Sequence, residues 1–156
     1  MTQETALSIL KTGRNVFLTG EPGSRKTHTI NQYIPYLRRL KINAAVTAST
    51  GIAATHINGM TVHSWSGIGI KKNLNPADIK KIIKYRGKRI DKIGVLIIDE
   101  ISMLDASTLD LVDIVCRAVK KSELPFGGMQ VTFVGDFFQL PPVKREDEEP
   151  YKFAFE

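Results

Sequence analysis

The fold of this chain is decided by the stretch Gly20-Glu21-Pro22-Gly23-Ser24-Arg25-Lys26-Thr27. It follows a short apolar run, residues 15–19, and precedes a helical pattern that extends to Leu40. A strand, a tight glycine-containing turn and a helix in this order predict a phosphate-binding loop. Backbone N–H groups at the start of such a helix converge on one point, where the helix dipole favours an anion. We expect Lys26 to contact the outer phosphates and the Thr27 hydroxyl to bind a magnesium ion.

Arg25 departs from the phosphate-loop pattern G-x-x-x-x-G-K-[ST], which has glycine before the lysine. Glycine serves where φ is positive or where the backbone lies close to phosphate. Holding another residue at positive φ costs about 1–3 kcal/mol. The arginine adds bulk at a position that we expect to be crowded, but its charge attracts phosphate, so the sign of its effect on nucleotide affinity stays open. The alternative to a phosphate loop is an ordinary Gly/Pro turn.

Length and composition indicate a single globular domain. The chain has 156 residues, of which 42% are hydrophobic and 24% charged, as in ordinary soluble proteins. No apolar run approaches the roughly 18 residues of a membrane span, and the N-terminus does not resemble a secretory signal. The lone Cys116 excludes an internal disulfide and suits the core of a protein in a reducing compartment. We expect an intracellular location, cytoplasmic in a bacterium or virus and nuclear or mitochondrial in a eukaryote.

Charge is distributed unevenly along the chain. Residues 1–90 carry fifteen lysines and arginines against three acidic residues, a net charge of +12. Residues 91–156 have a net charge of −6. A basic half is the expected footprint of polyanion binding. A solvated basic helix face would give the same composition, so charge alone leaves both interpretations open.

Alternating apolar strands and amphipathic helices predict an α/β fold with a parallel sheet. Four buried strands are expected, at residues 15–19, 44–48, 95–98 and 131–134. The longer helices are expected at residues 2–10, 26–40, 76–85 and 104–121. We expect Pro35 to kink the second of these helices, and Gly59 to end a further short one. Residues 61–65 are expected to form a short turn or the start of a helix.

Each predicted strand is followed by a polar cluster, and ligands of open α/β sheets bind outside the carboxyl ends of the strands. The clusters are Gly20–Thr27, Ser49–Gly51, Asp99-Glu100 and Gly135–Gln139. In the third cluster, the first carboxylate can hold magnesium and the second can deprotonate an attacking water. Two carboxylates favoured by a helix dipole are the alternative. The Gln139 amide can bond a γ-phosphate, or it can be a loop side chain in solvent.

A second group of residues suits contacts to single-stranded nucleic acid. Hydroxyl groups, a loop backbone and an aromatic ring can contact phosphates and stacked bases. The group consists of Ser49, Thr50, Gly51, Thr61, His63, Ser64 and Trp65. For Trp65, a place in the core is the more common role. A zinc site at His63 is not expected, because no carboxylate or second histidine lies at a ligand spacing.

Five ordered motifs resemble those of Pif-type DNA helicases, close to the RecD-like branch of superfamily 1. The motifs are Gly20–Thr27, Thr47–Ala54, Thr61–Trp65, Ile98–Met103 and Gly135–Pro142, and together they extend over nearly the whole chain. The resemblance implies an ATP-dependent motor, with ATP and Mg²⁺ as cofactors, that moves 5′ to 3′ on single-stranded DNA. It implies that residues 1–156 form one RecA-like P-loop NTPase domain, the first of two motor domains, with the second missing from this chain.

The resemblance also assigns roles to individual residues. Lys26, Asp99, Glu100 and Gln139 match the catalytic set, in which Asp99 is the magnesium carboxylate, Glu100 the base and Gln139 the γ-phosphate sensor. The implied nucleotide-binding residues are Gln3, Gly20, Glu21, Pro22, Gly23, Ser24, Arg25, Lys26 and Thr27. Gln3 falls where the family has an adenine-reading glutamine. Single-strand contacts map to residues 49–51 and 61–64. The strand ending at Gly135 is placed between the phosphate-loop strand and the Asp99 strand.

Two departures from the family limit the expected activity. Arg25 replaces a glycine, and the arginines that complete the ATP site belong to the second motor domain. Because an arginine finger raises the rate of hydrolysis by a factor of about 10³–10⁵, we expect this chain alone to be a poor ATPase and no helicase. Two other functions stay open. One is a non-catalytic single-stranded DNA-binding module with a disabled nucleotide site, and the other is a phosphate-loop kinase of small substrates, although an arginine-rich lid is not evident.

Overall fold

The structure is a computed structural model that describes residues 1–136, 138 and 152–154. Helices and strands alternate through these residues, except that the fourth and fifth helices follow each other directly. In chain order they are α1 (Gln3–Leu10), β1 (Val16–Thr19), α2 (Lys26–Arg39), β2 (Ala44–Ala48), α3 (Gly51–His56), β3 (Met60–Thr61), α4 (Val62–Ser66), α5 (Pro76–Asp91), β4 (Val95–Asp99), α6 (Ala106–Lys120) and β5 (Gln130–Gly135). A short 3₁₀ turn at Ile101–Met103 precedes α6, and a turn at Pro125–Gly128, in which Phe126 and Gly127 have left-handed backbones, follows it. Within the described residues, every helix is too short or too polar to cross a bilayer.

The strands form one parallel sheet in the order β1-β5-β4-β2-β3. Strand β5 pairs with β1 on one side, Leu18 opposite Val134, and with β4 on the other, Ile98 opposite Phe133. This confirms the parallel α/β fold and the strand order that the resemblance implied. Since all strands point the same way, their carboxyl ends meet at one edge of the sheet, which we call the carboxyl edge.

Strand β4 is the centre of the core, because its residues are buried on both faces of the sheet. Side chains alternate along a strand, so Leu96 and Ile98 pack with the side chains of α4, α5 and α6. Val95 and Ile97 face the other way and pack with α1 and α2. The continuous apolar run of β4 therefore has the burial that such runs show in parallel sheets.

Side-chain caps set the starts of several helices. The Thr2 hydroxyl accepts a hydrogen bond from the Thr5 N–H, as expected for the cap of α1. Helix α6 begins at Ala106 rather than at residue 104, because the Asp105 carboxylate caps it. Asn75 and Asp78 form a reciprocal capping box at the start of α5. That helix extends to Asp91, beyond the predicted end at residue 85.

One local feature differs from the expectations of the sequence. Met60 and Thr61 form a fifth strand, β3, which pairs with β2 at the edge of the sheet. Two residues are too few to show a strand periodicity, so no sequence pattern marked them. Helix α2 contains the exposed Pro35, as expected, and the kink at this residue stays a prediction. Gly59 lies just after the short helix α3, as expected.

Candidate functional site

A cavity of about 440 Å³ lies at the carboxyl edge of the sheet. Its lining consists of the phosphate-loop residues 22–27 together with Asp99, Glu100, Gly135 and Asp136. The convergence follows from the strand order, because β1, β5 and β4 are direct neighbours and each ends at this edge. Three of the four polar clusters predicted from the sequence thus surround one space.

Lys26 is the cation of this cavity whose side chain is held by hydrogen bonds within the phosphate loop. Its ammonium group donates to the carbonyl oxygens of Gly20, at 2.6 Å, and Glu21, at 3.1 Å. It also donates to the Ser24 hydroxyl at 3.3 Å. These bonds fold the side chain back over the loop, so its charge lies at the centre of the phosphate-loop turn. An anion placed there meets a positive charge that the loop already holds in place.

Arg25 has a left-handed backbone, with φ 59° and ψ 30°. The pattern's glycine at this position therefore serves the backbone conformation, as expected. The Arg25 carbonyl accepts a hydrogen bond from the Thr29 N–H at 3.1 Å, within the first turn of α2. Arg25 is exposed and lines the cavity, so the expected crowding against a bound phosphate stays a prediction. Its left-handed backbone costs about 1–2 kcal/mol relative to an unstrained residue.

Asp99 ends β4 with a half-buried carboxylate. Burial raises its pKa, against the opposing effects of a hydrogen bond from the Glu100 N–H and the charges of Lys26 and His56. The Glu100 N–H lies 2.8 Å from Asp99 Oδ1. Glu100 itself has a left-handed backbone, with φ 53°. Strain of this kind clusters at functional sites, and here it turns the chain from β4 into the 3₁₀ turn at residues 101–103.

Asp136 is a site residue whose role no sequence motif indicated. It directly follows β5, is only 3% exposed, and accepts a hydrogen bond from the Phe138 N–H at 2.9 Å. Its position in the sequence could have identified it, because a carboxylate directly after a buried strand lies at the carboxyl edge of the sheet. Gln139 lies outside the described residues, so its sensor role stays a prediction.

The predicted single-strand contacts lie beside each other at the same edge. Strand pairing places Ala48 opposite Thr61, which brings residues 49–51 next to residues 61–64. The Thr50 and Thr61 hydroxyls cap α3 and α4, accepting hydrogen bonds from the N–H groups of Ala53 and Ser64, each at 3.2 Å. These hydroxyls thus hold their own loops in shape.

Ser49 connects this region to the Asp99 strand. Its N–H donates to the Asp99 carbonyl at 3.1 Å. Its side chain is 8% exposed, and its hydroxyl oxygen is buried without a hydrogen-bond partner among the described residues. A ligand that contacts this segment would therefore reach the exposed Gly51 and not the buried Ser49 hydroxyl.

The remaining candidates divide between core and surface. Trp65 is 3% exposed and belongs to the core, which removes it as a stacking platform. His63 is half-buried, and burial lowers its pKa, so it is neutral at physiological pH. Gln3 is half-buried in the first turn of α1 and does not line the cavity. Its role as a reader of adenine stays a prediction.

The profile of the PIF1-like helicase family matches residues 3–156. The chain belongs to this family. Among PIF1-like proteins, the ATP-dependent DNA helicase Pif1 of Psychrobacter sp. (strain PRwf-1) is 56% identical to it over 99% of the chain. The ATP-dependent DNA helicase PIF1 of Saccharomyces cerevisiae (strain YJM789) is 45% identical, also over 99%. The chain spans 24% and 18% of the lengths of these two relatives.

Solved PIF1-like structures share the fold. The crystal structure of Pif1 helicase from Candida albicans matches 98% of this chain with a TM-score of 0.89 and 39% identity, over 35% of its own length. Bacteroides sp Pif1 in complex with ADP-AlF4 matches 98% with a TM-score of 0.81 and 36% identity, over 37% of its length. Bacteroides Pif1 bound to ssDNA matches 98% with a TM-score of 0.75 and 32% identity, again over 37%. The RecA-like fold and the family resemblance are thereby confirmed.

The substitution Asp99→Asn is expected to raise the unfolding temperature near neutral pH. Burial raises the pKa of Asp99 in the folded chain, so keeping it charged costs free energy that asparagine does not incur. Because the folded pKa exceeds the unfolded one, this cost is present above the raised pKa and disappears as the pH falls through it. The difference between the two melting temperatures should therefore shrink from about pH 7 to about pH 4.

Thermal melts across this pH range test the expectation. Asp110→Asn, which removes an exposed carboxylate of α6, corrects for the general effect of losing one negative charge. A destabilised Asp99→Asn variant at neutral pH would contradict a desolvated carboxylate at this position.

Proposed function

We propose that this chain is the ATP-binding motor domain of a 5′-to-3′ DNA helicase. In the whole protein it would act with a second RecA-like domain to couple ATP hydrolysis to movement along single-stranded DNA. The observation that supports this most is the meeting of Lys26 with Asp99 and Glu100 around one cavity. The relatives named as ATP-dependent DNA helicases, and the similar fold of Pif1 in complex with ADP-AlF4, agree with it.

The phosphate loop would bind the triphosphate chain. The N–H groups at the start of α2 and the dipole of this 14-residue helix favour an anion at its N-terminus. Lys26, already held over the loop by the Gly20 and Glu21 carbonyls, would donate to the outer phosphates. The left-handed backbone at Arg25 shapes the turn between the loop and this helix.

The residues of the cavity fit a magnesium ion bound with the nucleotide. Thr27 offers a hydroxyl at the start of α2, and Asp99 offers a carboxylate whose pKa is raised by burial. Because Mg²⁺ binds proteins through one or two such oxygens together with phosphates and waters, a larger acidic cluster is not required. When bound, the ion neutralises charge on the phosphate oxygens.

Glu100 would orient the attacking water and accept its proton. It lies next to Asp99 on the wall of the cavity, in reach of the space where a terminal phosphate would end. Gln139 would sense the γ-phosphate. Arginines from the second domain would complete the site, and without them this chain would turn over ATP slowly.

Residues 49–51 and 61–64 would contact the single strand. The bond from the Ser49 N–H to the Asp99 carbonyl suggests how DNA and nucleotide could communicate. A shift of this loop on DNA binding would move the backbone of Asp99, whose carboxylate would bind magnesium. Both segments lie at the carboxyl edge, on the same side of the sheet as the nucleotide cavity.

The substitution Arg25→Gly is expected to tighten binding of an ATP analogue with magnesium about fivefold, equivalent to about 1 kcal/mol. Glycine adopts the left-handed backbone without strain and lets the loop approach phosphate closely. Lys121→Gly is a matched control, because Lys121 is also exposed and left-handed, with φ 50°, but lies at the end of α6. Both variants should gain stability, and only Arg25→Gly should gain nucleotide affinity in a calorimetric titration.

Two outcomes of this titration would count against the proposal. Equal affinity of wild type and Arg25→Gly would contradict the account of the loop. Absence of magnesium-dependent binding in both would contradict the ATP-binding function itself. Salt-dependent binding of single-stranded DNA that nucleotide leaves unchanged would then favour the non-catalytic module.

A further inference from the structure

A second cavity, of about 620 Å³, lies at the opposite edge of the sheet from the phosphate loop. It is located where β2 begins and where α2 and α5 end. Five cationic side chains line it, and we call this surface the basic cleft. They are Arg38, Lys41, Lys88, Arg89 and Lys92. None of the described residues that line the cleft is acidic.

Most of these cations are available to a ligand. Arg38, Lys41, Lys88 and Lys92 are exposed. The ion pairs found in the described part of the chain, Lys71 with Asp78 and Arg117 with Asp113, do not involve them. The C-termini of α2 and α5 each contribute a partial charge of about −0.5, which offsets about one of the five positive charges. The cleft therefore keeps a strongly positive potential.

Local helix preferences do not account for this concentration of charge. Cations are favoured in the last turn of a helix by about 0.3–1 kcal/mol, which explains Arg38 and Lys88 singly. Lys41 lies beyond the end of α2 and has a left-handed backbone, with φ 58°. A lysine is costlier than glycine there, so the helix end does not explain it. Two helix ends and a strand start bring separate cations to one concave surface.

Arg89 forms the inner wall of the cleft and is held by α4. Its guanidinium donates to the carbonyl oxygens of Trp65, at 2.6 Å, and Ser64, at 3.3 Å. Its Nε is buried without a hydrogen-bond partner among the described residues. Because these bonds are structural, Arg89 is unsuitable as a test residue. The exposed lysines around it can be changed without disturbing α4.

We propose that the basic cleft binds the phosphate backbone of nucleic acid, at a surface separate from the carboxyl edge. Its lining supplies lysine and arginine for phosphates and the apolar side chains of Ile34, Ile42 and Ile93 between them. Among the described residues, no aromatic ring lines the cleft to stack bases, so recognition is of the backbone and not of sequence. This goes beyond the proposed motor function, whose nucleotide and single-strand contacts lie at the other edge.

The test compares two triple variants of the full 156-residue chain that lose the same charge. The cleft variant carries Lys41→Gln, Lys88→Gln and Lys92→Gln. The control carries Arg14→Gln, Arg39→Gln and Lys121→Gln, all exposed positions that do not line the cleft. Fluorescence anisotropy measures the binding of a single-stranded oligonucleotide and of a duplex at several salt concentrations, without nucleotide. Thermal melts check that both variants are folded.

The cleft variant should bind at least about tenfold more weakly at low salt, and its salt slope should fall by about 2–3, since each phosphate contact contributes about 0.7–0.9. A loss with both oligonucleotides, or with the duplex alone or the single strand alone, supports the proposal and identifies the source of the phosphates. Equal behaviour of the two triple variants would overturn it. Poly-glutamate of matched charge serves as a competitor. If it displaces the bound oligonucleotide as effectively as nucleic acid does, the proposal is also overturned, because the cleft would then bind acidic protein segments.

Discussion

Replacing Lys26 with methionine is expected to weaken the binding of an ATP analogue with magnesium about 100-fold. The loop holds this ammonium group over its own turn through the Gly20 and Glu21 carbonyls. A hydrogen bond to a charged group contributes about 1.5 kcal/mol at the lower end of its usual range, so the loss of two such bonds to phosphate corresponds to about 100-fold in affinity. Methionine retains most of the side chain's length and volume, so the loss reports charge and hydrogen bonding. Calorimetric titration measures it.

Two controls make this result specific. Lys80→Met removes an exposed charge from α5, away from the cavity, and should leave nucleotide affinity within about twofold. The thermal stability of Lys26→Met should stay near that of wild type, because the lost bonds lie in a surface loop. Unchanged affinity in a folded Lys26→Met variant would show that the nucleotide binds elsewhere.

The substitution Gly135→Ala is expected to destabilise the chain by about 1–3 kcal/mol, as overpacking of a core does. A β-carbon at this position would lie 2.7 Å from Cγ2 of Ile101 and 3.4 Å from the Ser102 N–H nitrogen. Ile101 is fully buried and β-branched, so it has little room to move away. The displaced element is the turn that follows Asp99 and Glu100. We therefore expect nucleotide binding to weaken together with stability.

Gly87→Ala is the matched control for this prediction. Gly87 lies inside α5, and an added β-carbon there would be 3.5 Å from Ile83 Cγ2, an ordinary contact. Alanine in a helix interior should gain about 0.5–1 kcal/mol. Urea unfolding of both variants gives the comparison. A Gly135→Ala variant as stable as Gly87→Ala would mean that the turn adapts freely and that this packing does not position the carboxylates.

The parts of the structure that depend on strong local patterns were predictable from the sequence. The apolar run 95–98 followed by two carboxylates identified a buried parallel strand and the site at its end. The phosphate-loop motif identified the strand before it and the helix after it. The convergence of Lys26 with Asp99 followed from a general rule about where parallel sheets bind ligands. Motif order, through the family resemblance, added the position of β5 between the two strands.

Other features depend on tertiary structure and could not be predicted. The strand β3 exists because Met60 and Thr61 lie beside an already formed β2. Helix α5 continues past residue 85 because Gly87 and Ile90 face the core, where burial outweighs the weak helix preference of glycine. The basic cleft is formed by cations up to 54 positions apart in the sequence, Arg38 and Lys92, whose proximity only the fold establishes.

A crystal structure of this chain with magnesium and a non-hydrolysable ATP analogue tests the central claim most directly. The account predicts the terminal phosphate within about 3 Å of Lys26 Nζ, with the metal ion bound by the Thr27 hydroxyl and reached by Asp99 directly or through water. A triphosphate bound elsewhere, with Lys26 still donating to Gly20, Glu21 and Ser24 of its own loop, would contradict it.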